Sequence, residues 1–221
     1  DYMAAWRHAD NSFAKLSAEV LNEPVASDHL PLTVELRMPV KVDKIFTTKP
    51  YLQNPTKDGI TVMWETSTPT YSWVEYGTDT TRMSRARVLI NGQVEVNETL
   101  HKIRLDGLTA GQTYYYRICS RELLQNWAFK KVFGHTAQSE LYSFTLPEDN
   151  TEEFTAIVFN DLHCKPALFK SLLKQVEGVD YDFAVFNGDC VSDPENREQA
   201  TWFIKTLTEG VNGSSTPTFF V

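Results

Sequence analysis

Cysteine is scarce in this chain: Cys119, Cys164 and Cys190 are all it has in 221 residues, and no two stand at C-x-x-C spacing. That excludes a disulfide framework and a zinc knuckle, and leaves the three to pack as small apolar side chains. Long apolar runs are missing as well. None approaches the roughly 20 residues that a helix needs to cross a bilayer, so no membrane-spanning segment is expected. No stretch reads as a cleavable signal peptide, although the sequence opens at Asp1 without an initiator methionine, so the missing signal weighs little on compartment. A basic stripe is absent too. Net charge is −8, and a surface that tracks nucleic-acid phosphates is not expected from it. The negative charge is uneven: residues 152–221 carry 11 acidic against 5 basic groups, and residues 46–146 carry 9 against 11. The acidic last third suits divalent cations or a solvated face.

What is present is ordinary globular composition, 42% hydrophobic and 23% charged, with room for one large or two ordinary domains. From Phe46 to Leu146 short alternating runs are separated by turn residues. Gly59–Trp64 and Tyr71–Tyr76 alternate apolar and polar, as half-buried strands do, and Asn91-Gly92 is a hairpin signal. His101–Leu105, Tyr114–Ile118 and Leu141–Leu146 read as further strands, with an exposed loop expected over Asn126–Gln138 and His135 solvated within it. Several strands in about 100 residues predict a β-sandwich.

This segment resembles a fibronectin-type-III-like domain. Leu108, six residues before Tyr114, looks like that family's tyrosine corner, in which the phenol bonds a backbone group near the turn. Lys49-Pro50-Tyr51-Leu52-Gln53, followed by Thr61-Val62-Met63-Trp64, is similar more specifically to the amino-terminal sandwich of purple acid phosphatases.

Beyond Asn150 the period changes. Phe154–Phe159 is an almost continuous apolar run, the mark of a strand buried on both faces. Pro166–Val176 carries Leu168, Leu172, Leu173 and Val176 at helical spacing. Phe183–Phe186 is a second strand, Pro194–Leu207 a helix with Asp193 as N-cap, and Pro217–Val221 begins a third strand. The order βαβαβ predicts a parallel sheet. Its first strand runs into Asn160-Asp161-Leu162-His163 and its second into Asn187-Gly188-Asp189. Sites in parallel α/β sheets lie beyond the carboxyl ends of the strands, so Asp161, His163 and Asp189 are expected at one edge. Two carboxylates and an imidazole meeting there repel or desolvate unless a cation joins them, and a hard or borderline divalent metal fits.

Asp-x-His, then Gly-Asp about 28 residues on, resembles the calcineurin-like metallophosphoesterase family, over Phe154–Val221 only. The resemblance implies two divalent ions (manganese, iron or zinc), with Asp161 and His163 on one and Asp189 bridging both. Together they activate a water toward a small-molecule phosphoester. It also implies further ligands from a Gly-Asn-His motif, expected where this sequence stops at Val221, so the fragment alone is expected to be inactive. Where purple acid phosphatases place a ferric-iron tyrosine, three residues after the bridging aspartate, this sequence has Ser192. The parent enzyme is therefore expected not to be purple. Cys164 and Cys190 flank the ligand positions and are expected to pack beside them.

Residues 1–38 fit neither part. Met3, Trp6, Phe13, Leu16 and Val20 can form a helical stripe. Against that, Ser27-Asp28-His29-Leu30-Pro31 before an alternating strand resembles the carboxy-terminal end of the endonuclease/exonuclease/phosphatase family, with Asp1–Met3 as the preceding strand of a hairpin remnant. The resemblance implies a catalytic His29 beside a metal-binding Asp28, with magnesium in that parent domain. The expected organisation is thus 1–38 remnant, 39–45 linker, 46–146 sandwich, 147–153 linker and 154–221 the opening of a metallophosphoesterase domain. The family company implies export to the periplasm or cell surface. The competing expectation is an extracellular binding or spacer module, acting through exposed aromatics such as Trp73 or Trp127, with a non-catalytic α/β remnant.

Overall fold

A computed structural model describes residues 40–193 and 195–221 in full, together with the backbone of two earlier strands. Those strands, Ala14–Val20 (β1) and Leu32–Arg37 (β2), pair antiparallel with Val20 opposite Leu32. The ladder replaces the helical stripe over 14–20. The strand expected at Asp1–Met3 lies outside the described residues, along with Asp28 and His29.

The sandwich is built from Tyr51–Thr56 (β3), Gly59–Gly77 (β4), Ser84–Ala86 (β5), Leu89–Ile90 (β6), Gln93–Val94 (β7), Glu98–Asp106 (β8), Thr113–Asn126 (β9), Lys131–Gln138 (β10) and Tyr142–Thr145 (β11). The two strands expected at 59–64 and 71–76 are one strand of 19 residues. Its first half pairs with β3 and β8, its second with β5 and β9, and the β8 register slips between Glu65 and Thr70. A single strand therefore serves both layers. Leu52, Ile60, Val62, Trp64, Ile103 and Leu105 from one layer meet Val74, Tyr116, Ile118 and Phe144 from the other in one core.

Two turns form as the sequence predicts. Asn91 and Gly92 both have positive φ (51° and 79°) between the paired Ile90 and Gln93, which is the two-residue hairpin geometry. The Thr109 N–H donates to the Tyr114 hydroxyl at 2.9 Å, closing the tyrosine corner. The expected loop over 126–138 is corrected: only its tip is a loop, and 131–138 is β10, paired with β9. His135 lies on that strand, its Nδ1 3.0 Å from the Val40 carbonyl oxygen.

Where β4 crosses between layers, His101 is buried under a set of hydroxyls. Its Nε2 lies 3.1 Å from Thr66 Oγ1, 3.0 Å from Thr70 Oγ1 and 3.3 Å from Ser72 Oγ. Ser72 and Ser120 bond each other at 2.7 Å, and the Trp64 indole N–H donates to Ser120 at 3.1 Å. Burial holds the imidazole neutral, lowering its pKa from 6.5 to about 4. The unfolded chain binds that proton more readily, so stability from His101 is present above about pH 6.5 and is lost as pH falls through about 4. Over that window we expect unfolding free energy to drop by ~3 kcal/mol. Urea titrations at pH 4 to 7 should show this slope, and His101→Gln should flatten it. An unchanged slope in the variant would refute the assignment.

The remainder is a parallel unit: Ala156–Asn160 (β12), Pro166–Gln175 (α1), Phe183–Asn187 (β13), Arg197–Gly210 (α2) and Thr218–Phe220 (β14), in sheet order β12-β13-β14. Three details depart from expectation. Phe169, 2% exposed, is the buried anchor of α1, while Leu168 is 40% exposed. The start of α2 is three residues later than expected, with Asn196 accepting the Gln199 N–H at 3.0 Å. Asp193 is occupied in its own turn, accepting the Glu195 N–H. And β12 is not buried on both faces, because Val158 is 54% exposed. The sheet order follows the chain order, and right-handed crossovers then put both helices on one side. Phe169, Phe203 and Leu207 accordingly share one cluster with Ile157, Phe159, Ala184 and Phe186.

The two parts are joined through the free edge of β3. The Leu52 N–H donates to the Gly213 carbonyl at 2.8 Å, and the Thr218 hydroxyl donates to the Leu52 carbonyl at 3.2 Å. Ser214 Oγ donates to the Pro50 carbonyl, and the buried Tyr116 hydroxyl donates to the Ser214 carbonyl, both at 2.6 Å. This covers an edge that otherwise presents unpaired backbone groups. It also sets the orientation of the sheet that carries the acidic strand ends.

Candidate metal centre

Strands β12 and β13 pair in register from Ala156 with Phe183 to Asn160 with Asn187, so they end level. Their last residues are tied side chain to side chain, Asn187 Nδ2 donating to Asn160 Oδ1 at 2.7 Å. The chain then turns sharply in both loops. Asp161, His163 and Cys164 have φ of 53°, 43° and 53°, and Gly188 and Asp189 have 70° and 47°. Aspartate tolerates this left-handed region better than most residues, and glycine enters it freely. The loops are laced together by backbone bonds. The His163 N–H donates to the Asp189 carbonyl at 2.8 Å and the Cys164 N–H to the Cys190 carbonyl at 2.9 Å, while the Gly188 N–H donates to Val221 at 3.1 Å.

One ligand atom each from Asp161, His163 and Asp189 lies within 4.8 Å of the others, all three residues being exposed. His163 Nε2 is 3.7 Å from Asp161 Oδ1. Two carboxylates with an imidazole at this spacing form a donor set of hard oxygen and borderline nitrogen, and it suits a divalent cation such as manganese, iron or zinc. An open hollow of about 430 Å³ adjoins Asp189, floored by Phe186, Ile204, Leu207 and Phe220.

The structure thus brings together three of the five residues singled out in the sequence. Asp28 and His29 lie outside the described residues. Sequence reasoning missed two pairings. The Asn160–Asn187 bond had a visible signal, an asparagine closing each strand. The adjacency of Cys164 and Cys190, each next in sequence to a member of the cluster, was hidden by a separation of 26 positions. Burial, the Asp189 charge, Cys164 and Asp161 together push the Cys190 thiol pKa up. Trp73, offered as an exposed aromatic, is corrected. It is 7% exposed, bonded to Glu75 and covered by the Arg85 guanidinium 4.6 Å above its ring.

Residues 48–146 match the family model described as the N-terminal domain of purple acid phosphatase, which makes the sandwich a domain of that type. No curated protein matches the chain. Among solved structures, a purple acid phosphatase isolated from yellow lupin (Lupinus luteus) seeds is similar. It has 19% identity and a TM-score of 0.54, with 78% of this chain and 34% of that chain covered. A structure of PhoD matches at 13% identity and TM-score 0.54, covering 83% of this chain and 40% of that one. At these identities the likeness is one of fold, a β-sandwich followed by part of an α/β domain. This chain spans about a third and two fifths of those lengths. Neither comparison supports the endonuclease-type resemblance of residues 1–38.

Proposed function

We propose that the chain is part of a metallophosphoesterase whose catalytic unit begins near residue 154 and acts on small-molecule phosphoesters. The observation that carries this is the convergence of Asp161, His163 and Asp189 at the level ends of two parallel strands. The sandwich of purple acid phosphatase type directly before it supports the same reading. In it, Asp161 and His163 would hold one divalent ion, and Asp189 would help to hold that ion and a second. Two such ions, when bound, supply a Lewis acid for phosphate oxygens and lower the pKa of a water. The protein's own part is positional. The Asn160–Asn187 bond and the paired backbone bonds fix the spacing of the two loops before any ion arrives, so binding orders few groups. Ser192 occupies the place where an iron-binding tyrosine gives purple acid phosphatases their colour, so the parent enzyme is not purple in this reading. Residues 154–221 hold only this first group of ligands, and the activity belongs to a longer protein exported from the cytoplasm.

Calorimetric titration of the 221-residue chain with Mn²⁺ at low ionic strength tests the reading. One saturable site is expected, competed by Zn²⁺ and absent for Na⁺. No heat above dilution at millimolar Mn²⁺ would sink it.

A second reading, a binding module, draws on the tip between β9 and β10. Trp127 is 54% exposed there, and Phe129 is fully exposed beside Lys130. Tight glycan or peptide binding by the sandwich, together with no Mn²⁺ site, would favour it.

A further inference from the structure

Cys164 directly follows His163, and Cys190 directly follows Asp189. The hydrogen bond from the Cys164 N–H to the Cys190 carbonyl is 2.9 Å long, and a parallel one joins His163 to Asp189 one residue earlier. With standard backbone dimensions, a bond of that length holds the two Cα atoms within about 6.8 Å whatever its angles. Disulfides span Cα separations of about 4.4–6.8 Å. Both side chains pack on the same apolar cluster beneath the loops, so they turn to the same side of the loop pair. Both are partly exposed free thiols, within reach of a small oxidant, whereas Cys119 is buried in the sandwich.

We propose that Cys164 and Cys190 form a reversible intrachain disulfide that ties the Asp161–His163 loop to the Asp189 loop. The chemistry is thiol–disulfide exchange with a small-molecule disulfide such as oxidised glutathione. One thiolate attacks the reagent and releases one reduced thiol. The second cysteine then attacks the mixed disulfide and releases the other. Two cysteine thiols are oxidised and one reagent disulfide is reduced to two thiols, with one S–S bond gained in the protein and one lost in the reagent. The bridge encloses 25 residues, Lys165 to Asp189, among them all of α1 and β13. It therefore staples one complete crossover of the parallel unit at the end where the carboxylates converge. An oxidising compartment favours the bridged form, and a reducing one leaves the loops joined by backbone bonds alone. None of this depends on whether the site holds a metal.

The test is made on the whole chain. The protein is incubated with oxidised glutathione, free thiols are blocked with N-ethylmaleimide, and peptides are mapped by mass spectrometry before and after dithiothreitol. A Cys164–Cys190 linked peptide that dithiothreitol releases is expected, with Cys119 recovered as the thiol. The cross-linked form should melt about 5 °C or more above the reduced form, a shift that Cys190→Ser cannot show. Recovery of Cys164 and Cys190 only as blocked thiols, or as separate glutathione adducts, would overturn the proposal. Equal melting temperatures of the bridged and reduced forms would overturn its stapling role. Because these readouts use no metal, they fail or succeed independently of the Mn²⁺ titration.

Discussion

Replacing Asp189 with asparagine should weaken Mn²⁺ binding by this chain on the order of 100-fold or more, because groups that merely support a ligand are already worth 10–100-fold. Asparagine is the right substitute. Residue 189 has φ of 47°, a conformation that asparagine shares comfortably with aspartate and alanine does not. Its carbonyl still accepts the His163 N–H, so the loop keeps its shape and only a negative charge and a ligand oxygen are lost. In a version extended through the rest of the catalytic domain, the same change should abolish metal-dependent phosphatase activity. Calorimetry on the short chain and turnover of a chromogenic phosphate ester on the long one read the two effects. Wild-type affinity in the variant would remove Asp189 from the metal centre.

The second large effect lies underneath. Phe186→Ala should destabilise the parallel unit by about 3–5 kcal/mol, the usual cost of emptying a buried aromatic site. Phe186 is fully buried and stacks on Phe159 and Phe220 at 5.7 and 5.2 Å, with the edge of Phe169 at 6.0 Å. Removing it takes the common partner from strands β12 and β14 and helix α1 at once. It also stands three residues before Asp189, so loss of packing should loosen the Asp189 loop. Hydrogen exchange should show the amides of 156–160 and 183–187 losing protection while 113–126 keeps theirs. Phe186→Leu, closer in volume, should recover most of the difference.

Much of this was legible because it rests on local chemistry. Alternation marked both halves of β4, Asn91-Gly92 marked the hairpin of β6 and β7, and the βαβαβ order placed Asp161 and Asp189 at one edge. The failures have physical reasons too. Thr66–Thr70, with Pro69 inside it, separates the two alternating runs, yet the strand continues through it, with the Thr66 and Thr70 hydroxyls, and that of Ser72 just beyond, set against the His101 ring at the layer crossing. In β10, Gly134 sits at the centre of an eight-residue strand and breaks the pattern. A β-carbon there would lie 2.5 Å from a carboxylate oxygen of the buried Glu122, so the glycine marks a close approach and not a turn. The start of α2 was misplaced because Asp193 and Asn196 are both good caps, and only folding decides which side chain is free to accept. An asparagine closing each strand hinted at the bond between Asn160 and Asn187, but the meeting of Cys164 with Cys190 depends on the register of two strands 27 residues apart. No local pattern encodes that.

The clasp on the edge of β3 has a consequence for the order of synthesis. Everything in the sandwich, from Pro50 to Tyr116 and the closing strand at Thr145, leaves the ribosome before Gly213, Ser214 and Thr218 do. The delay between the closing strand and β14 is on the order of 10 s at usual elongation rates. The sandwich can therefore fold first and present Leu52 and Tyr116 as a finished template. The loop before β14 needs that template, since its Ser214 and Gly213 carbonyls find their partners there. In a nascent chain the acidic strand ends, made before residues 213–218, would thus be seated only when the clasp closes on the finished sandwich.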